Sequence, residues 1–256
     1  MDVELFIKNP PLLIFGVVVS LASLAACAVF IRHWRKRGGF WEEENAPILA
    51  LRWLEFLLIF GFLVFNYFVA PPLLPLIGLI VAAWAIASTG RTPAHFWALQ
   101  WKKVPDYLTT GAKLLLLVVL PLYLVSFLSS VFLEWLGLEA SLQPTVNRLF
   151  QTQREGEMIL GVVEAFLISP LWEEIVFRGF LYPALKAKAG RWIALGVTSL
   201  LFAAIHFHLP TFAPLFLFGA ILTLVYEHKG SLGYPMALHG LFNGLSALLI
   251  FWMKNG

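Results

Sequence analysis

The chain has 256 residues, 60% of them hydrophobic and only 13% charged, with a formal net charge of +3. Soluble domains carry roughly 25% charged residues, so the composition excludes an ordinary soluble domain, and so small an excess of positive charge makes no case for nucleic-acid binding. A single cysteine, Cys27, excludes an intramolecular disulfide and a cysteine-cluster metal site, and reads as a small apolar filler.

Apolar residues come in long blocks with short polar breaks, which predicts an all-α, polytopic transmembrane bundle; a membrane barrel would alternate over ~10-residue segments. In chain order, spans are expected at about 11–31, 46–69, 72–88, 111–133, 158–182, 192–208, 212–227 and 234–253. The first is a permanent anchor and not a signal peptide: Asp2 and Glu4 precede it, and Arg32, Arg35, Lys36 and Arg37 follow it. Pro71-Pro72 parts the second span from the third. After the third, residues 92–104 mix Phe96, Trp97 and Trp101 with Lys102 and Lys103, which suits a short helix lying among lipid headgroups. A further amphipathic turn is expected around "VNRLF" within 134–157.

With eight spans, Arg32, Arg35, Lys36, Arg37, Arg91, Lys102, Lys103, Lys186, Lys188, Arg191 and Lys229 fall on one side, against Lys8, Arg148, Arg154 and Lys254 on the other. The positive-inside rule then puts both termini outside and points to access from the cytoplasmic side. Short loops without appended domains suit an integral protein of a prokaryotic plasma membrane. With no internal repeat or linker, 1–256 reads as one domain: 1–156 has no assigned role, and 157–253 carries the chemistry.

Ionisable residues within spans are costly and usually functional. "WEEIVFRG" (172–179) holds three. Glu174 and Arg178 are four apart and stack on one helical face, while Glu173 points about 100° away. Glu174 is therefore expected to pair with Arg178, leaving Glu173 facing something else; one structural ion-pair cluster is the alternative. His206 follows in "LFAAIHFHLP", with His208 as an interfacial or supporting residue. In "HGLFN", His239 and Asn243 share a face, as hydrogen-bonding groups or as interhelical polar glue.

Measured inward from the basic loops at 1.5 Å per residue, Glu173 lies ~20 Å deep, His206 ~21 Å, Asn243 ~15 Å and His239 ~9 Å. Overlapping depth on three helices argues for one shared site. Glu173 and His206 can hold and deprotonate a water, and His239 and Asn243 can donate to an oxygen gaining negative charge. These are the parts needed to hydrolyse an amide without a covalent intermediate.

The three segments "EEIVFRG", "FAAIH" and "HGLFN" resemble the EExxxR, FxxxH and HxxxN motifs of the CPBP family, the CAAX-type and bacteriocin-processing (Abi) proteases. The likeness covers roughly 160–250 and extends through "FLFGAILTLVYEHKGSLGYPMALHGLFN" (216–243). It implies a glutamic intramembrane endopeptidase that needs no metal or other cofactor. Glu173 would be the general base and His206 its partner on the water, with His239 and Asn243 as the oxyanion site and Glu174 and Arg178 in support. Implied partners are a peptide or protein substrate, lipidated or not, and membrane lipid. One departure is Trp172, before the Glu pair, where a smaller residue is usual and where the pocket could be narrowed. Rival readings are a zinc protease using Glu173, His206 and His239, a non-catalytic immunity or scaffold protein, and a proton-coupled transporter, against which the absence of an inverted repeat counts.

Overall fold

The computed structural model describes residues 10–37, 45–50, 92–138 and 155–255, with scattered positions between 57 and 90 and between 143 and 151. The expected spans 46–69 and 72–88, the Pro71-Pro72 break and the "VNRLF" turn lie almost wholly outside these residues.

All regular structure among the described residues is helical. Helix α1 is Pro10–Arg37 and α2 is Val104–Trp135. A longer helix, α3, runs through 155–189 and is followed by α4 (Arg191–Ala204), α5 (Leu209–Lys229) and α6 (Gly233–Asn255). Segments of α1, α2, α5 and α6 are long and apolar enough to cross a membrane; α4 is apolar but shorter. Of the eight expected spans, these account for the first, fourth, seventh and eighth, while 158–182 falls inside α3 and 192–208 on α4. The helix ends are glycine-marked: Gly190 and Gly230 have φ of +80° and +66°, a conformation that costs L-residues with a Cβ.

Prolines inside these helices explain several contacts. A proline gives no N–H to the preceding turn, so a carbonyl is left without a donor, and in lipid that carbonyl needs a partner from elsewhere. In α2, Pro121 deprives Leu117 O, and the Cys27 thiol of α1 donates to it at 3.3 Å. Cys27 is thus more than filler. In α3, Pro183 deprives Gly179 O, and Trp97 Nε1 donates to it at 3.1 Å. The third case, at Pro170, builds the site.

Around Pro170 and Pro183 the helix α3 widens into π turns at Glu164–Ile168 and Phe177–Leu181, which separate the α-helical stretch Ser169–Val176 from its flanks. Ser169 N–H reaches back five residues to Glu164 O, and the next residue, Pro170, has no hydrogen to give. Ala165 O is left over. Asn243 of α6 fills it, donating from Nδ2 at 2.9 Å.

Glycines let α6 come this close. A Cβ on Gly240 would stand 2.9 Å from Phe166 O, and one on Gly244 2.5 Å from the Phe166 ring. Gly240→Ala meets backbone that cannot turn aside, so it is expected to lower stability by about 1–3 kcal/mol. A drop in the thermal midpoint of the detergent-solubilised protein would register it, and an unchanged midpoint would refute the close packing.

Residues 92–104 form two short helical turns, Pro93–Phe96 and Trp101–Lys103, packed in part against the bundle. Of their three large aromatic residues, Phe96 and Trp97 are buried, and Trp101, 93% exposed, faces outward. The reason is Gly179: a Cβ there would sit 2.7 Å from Trp97 Nε1, so its absence admits the indole. Leu232 N also donates to Trp97 O, and Ser231 Oγ to Ala98 O, strapping this segment to the α5–α6 turn.

A second buried ion cluster lies at the basic end of the bundle. Lys186 Nζ meets Glu227 Oε1 at 2.7 Å, Tyr182 OH donates to the same carboxylate, and Ala46 N donates to Glu227 Oε2 at 3.3 Å. Lys186, counted above as a loop charge, is therefore neutralised inside the protein.

Candidate active site

Glu173 and Glu174 diverge as their spacing requires. Glu174 and Arg178 are fully buried, with Arg178 Nη1 donating to Glu174 Oε1 at 2.8 Å. The rest of the guanidinium is held by α5: Nη2 donates to Gly219 O at 2.9 Å and Nε to Thr223 Oγ1 at 3.4 Å. The Phe202 ring of α4 lies 4.6 Å from Arg178 Cζ, a cation–π contact in a desolvated setting. Arg178 thus joins three helices.

Glu174 has a second partner that spacing alone did not reveal. His239 Nδ1 lies 2.8 Å from the same Oε1. A carboxylate paired with arginine only accepts, so Nδ1 donates and the tautomer follows. His239 Nε2 turns the other way and comes within 3.8 Å of Glu173 Oε2. The imidazole therefore stands between the two carboxylates, hydrogen-bonded to one and facing the other.

Glu173 Oε2 makes no hydrogen bond to the described residues. Its side chain faces a cavity of about 210 Å³ that is also lined by His206, His239 and Asn243. The four candidate groups thus meet in one space. Trp172 is not among its lining residues, so the expected narrowing by that side chain does not occur.

His206 lies just past the end of α4 and not on it, since the helix closes at Ala204. Phe207 follows with φ of 46°, the left-handed region that non-glycine residues seldom enter. This reversal turns the chain into α5 directly after His206. His206 Nδ1 donates to Phe202 O at 2.7 Å, so the neutral ring has Nε2 as a free acceptor. His208 caps the start of α5, with Nδ1 3.0 Å from Thr211 Oγ1. It is buried.

Phe202, which opens "FAAIH", serves the site in three ways. Its carbonyl fixes His206, its ring underlies Arg178, and the ring also makes an edge contact with His239 at 5.8 Å between centroids. The signal for it was its place four residues before the histidine. Gly219 and Thr223 carry no comparable signal, because a small residue on an apolar helix has many uses.

Among the described residues no three His, Cys, Asp or Glu side chains are grouped as metal ligands. The cavity also runs in an unforeseen direction. Its lining on α6 passes from His239 through Asn243 and Ala247 to Ile250, away from Lys229 and Gly233 and so away from the basic end.

A family model described as type II CAAX prenyl endopeptidase, Rce1-like, matches residues 155–245. That range starts where α3 starts and ends two residues past Asn243. The family is one of peptidases. An Escherichia coli protein described as an uncharacterized 24.3 kDa protein is 33% identical over 114 residues. The aligned part is 43% of this chain and 52% of that protein, so the chain spans about half of its relative's length. No solved structure matches. Four helices among the described residues, long and apolar enough to cross a membrane, together with the match to this family, support an integral membrane protein.

Proposed function

We propose that this chain, whose residues 155–245 form a domain of the CPBP/CAAX protease family, cuts a peptide bond within the membrane by means of a glutamate-activated water. What carries the reading is one contrast: Glu173, His206, His239 and Asn243 line a common cavity, while Glu174 and Arg178 are wholly engaged behind it.

Glu173 Oε2 and His206 Nε2 are both acceptors in their resting forms. A water giving one hydrogen to each keeps a lone pair free to attack a carbonyl carbon placed in the cavity. As the new C–O bond forms, Glu173 takes the proton and the carbonyl oxygen becomes an oxyanion. Asn243 has spent one Nδ2 hydrogen on Ala165 O, which orients its amide, and the second can serve the oxyanion. His239 has its Nδ1 hydrogen on Glu174, so Nε2 donates only when the ring is an imidazolium. When the C–N bond breaks, the proton held by Glu173 passes to the leaving amine.

Substrates on this reading are membrane-associated peptides or proteins, prenylated or not, as in C-terminal CAAX-type processing or peptide maturation. A prokaryotic plasma membrane with both termini outside fits the charge asymmetry of the loops.

The test is turnover of a quenched-fluorescent peptide library by detergent-purified protein, with and without chelator. Cleavage that ignores chelator is expected. Cleavage abolished by chelator would mean a zinc enzyme using Glu173, His206 and His239. Asn243→Ala is expected to lower kcat by about 10²–10³-fold, the usual loss for one oxyanion donor. It would also strand Ala165 O, at a further stability cost of about 1–3 kcal/mol. A kcat within a few-fold of wild type would remove Asn243 from the oxyanion site. An immunity or scaffold protein using the same cavity would instead keep its cellular function in Glu173→Ala.

A further inference from the structure

Besides Glu173 and the two histidines, four polar side chains line the cavity: Gln143, Ser169, Asn243 and Ser246. Three of them are already tied to the protein. Asn243 Nδ2 donates to Ala165 O, and Ser246 Oγ gives its hydrogen to Phe242 O at 3.0 Å. Gln143 Nε2 donates to Thr211 Oγ1 at 3.3 Å. That contact holds the Gln143 amide at the start of α5, about 10 Å along the helix from Phe218, whose ring packs on His239. Ser169 differs. Its hydroxyl makes no hydrogen bond to any described residue, and it lines the same space as Glu173.

The position of that hydroxyl follows from α3. Ala165, Ser169 and Glu173 recur every fourth residue, and all three line the cavity. Ser169 therefore stands one turn, about 6 Å along the axis, from Glu173. On its other side is the carbonyl that fixes Asn243. Helix carbonyls point toward the following turn, so Ala165 O faces the turn that Ser169 opens. The Asn243 amide, held on that oxygen at 2.9 Å, is brought to the same turn.

We infer that the Ser169 hydroxyl is a second oxyanion donor, acting beside Asn243. This rests on the proposed peptidase reading and supplies a hydrogen that the reading lacks. A developing oxyanion is held best by several donors aimed at it in advance. Asn243 has one hydrogen left to give, and neutral His239, with its hydrogen on Glu174, has none. Ser169 keeps its proton throughout. Its O–H turns toward the carbonyl oxygen as that oxygen gains charge, while Glu173 takes the proton of the water. A hydroxyl with no partner to leave is free to turn. Removing it also takes no contact from the fold, so its loss tests the chemistry and not the packing.

The experiment uses full-length protein in detergent and the best-cleaved peptide of the library, with wild type beside Ser169→Ala and Ser169→Thr. Ser169→Ala is expected to lower kcat by about 10²–10³-fold, the usual loss for one such donor, with KM within a few-fold and the thermal midpoint unchanged. Ser169→Thr keeps the hydroxyl and is expected to keep most of the activity. A trifluoromethyl ketone analogue of the same peptide gives a second readout, because its hydrate is tetrahedral like the intermediate. Its affinity should fall in Ser169→Ala by the factor lost from kcat/KM. The uncleaved peptide should bind Glu173→Gln equally well with and without Ser169→Ala. A kcat within a few-fold of wild type in Ser169→Ala would overturn the assignment and leave the peptidase standing. So would a changed pH profile of kcat/KM with unchanged affinity for the analogue, which would give the hydroxyl to Glu173 instead. Equal losses in Ser169→Ala and Ser169→Thr, with lowered thermal midpoints, would make Ser169 a packing residue and overturn it too. Absence of cleavage of every library peptide by wild type would remove the peptidase reading and this donor with it.

Discussion

Glu173→Gln is expected to reduce turnover by about 10²–10⁴-fold, the usual contribution of a positioned general base, while leaving the protein as stable as before or slightly more so. Both halves follow from one fact. Glu173 Oε2 has no hydrogen bond among the described residues and faces a cavity instead of a partner. A buried carboxylate whose Oε2 has no hydrogen bond and only a 3.8 Å approach from His239 gives the fold little that an isosteric amide would take away. The amide cannot accept a proton from water at neutral pH, so the chemistry stops. Turnover should be measured beside the thermal midpoint in the same detergent. Retention of turnover within a few-fold would place the base elsewhere, and His206, with its free Nε2, would be the next residue to test.

Glu174→Ala should do the reverse on stability and no better on activity. It removes the carboxylate from a fully buried guanidinium, and breaking one side of such a pair costs about 3–5 kcal/mol. It also deprives His239 Nδ1 of its acceptor, so the imidazole loses the contact that orients it. A double replacement, Glu174→Leu with Arg178→Met, separates the two effects. Apolar residues of similar size in place of a buried ion pair are commonly neutral or stabilising, so the thermal midpoint should recover. Gly219 O would still have a donor in Thr223 Oγ1, at 2.9 Å. Turnover should stay low, because His239 still lacks its partner. If activity returned with stability, Glu174 would be a structural residue alone.

Much of this site was legible before any coordinates. The ~100° step between adjacent helical residues separated Glu173 from Glu174 and gave Arg178 to the latter, as observed. The spacing of His239 and Asn243 put both on one face, and both line the cavity. Their further partners were not legible. His239 meets Glu174 across 65 residues of sequence, and Asn243 meets a backbone carbonyl 78 residues away. Periodicity reports which face a residue occupies, not what stands opposite. Lys186 shows the same limit, since its partner Glu227 closes a different helix and nothing local distinguishes it from a loop charge. The irregular places were marked, though only by residue type. Pro170 and Pro183 announced a disturbance in α3 without saying that it would take the form of wider turns. Phe207, ordinary in composition, gave no sign of the left-handed turn that follows His206.

A π turn contains one residue more than the α turn it replaces, so residues 164–168 amount to a single-residue insertion whose effect ends within the five positions that hold it. Deleting one of them would let the helix close to its regular pitch with the flanking turns still in place. The ion pair behind the site would survive such a deletion, as would every residue of the three motifs. What would vanish is the surplus carbonyl on which the Asn243 amide is fixed. A shortened homologue could therefore match this chain at every motif position and still lack a fixed amide at the position of the proposed oxyanion donor. Within this fold, the length of the segment upstream of the Glu pair is as much a part of the proposed active site as the side chains themselves.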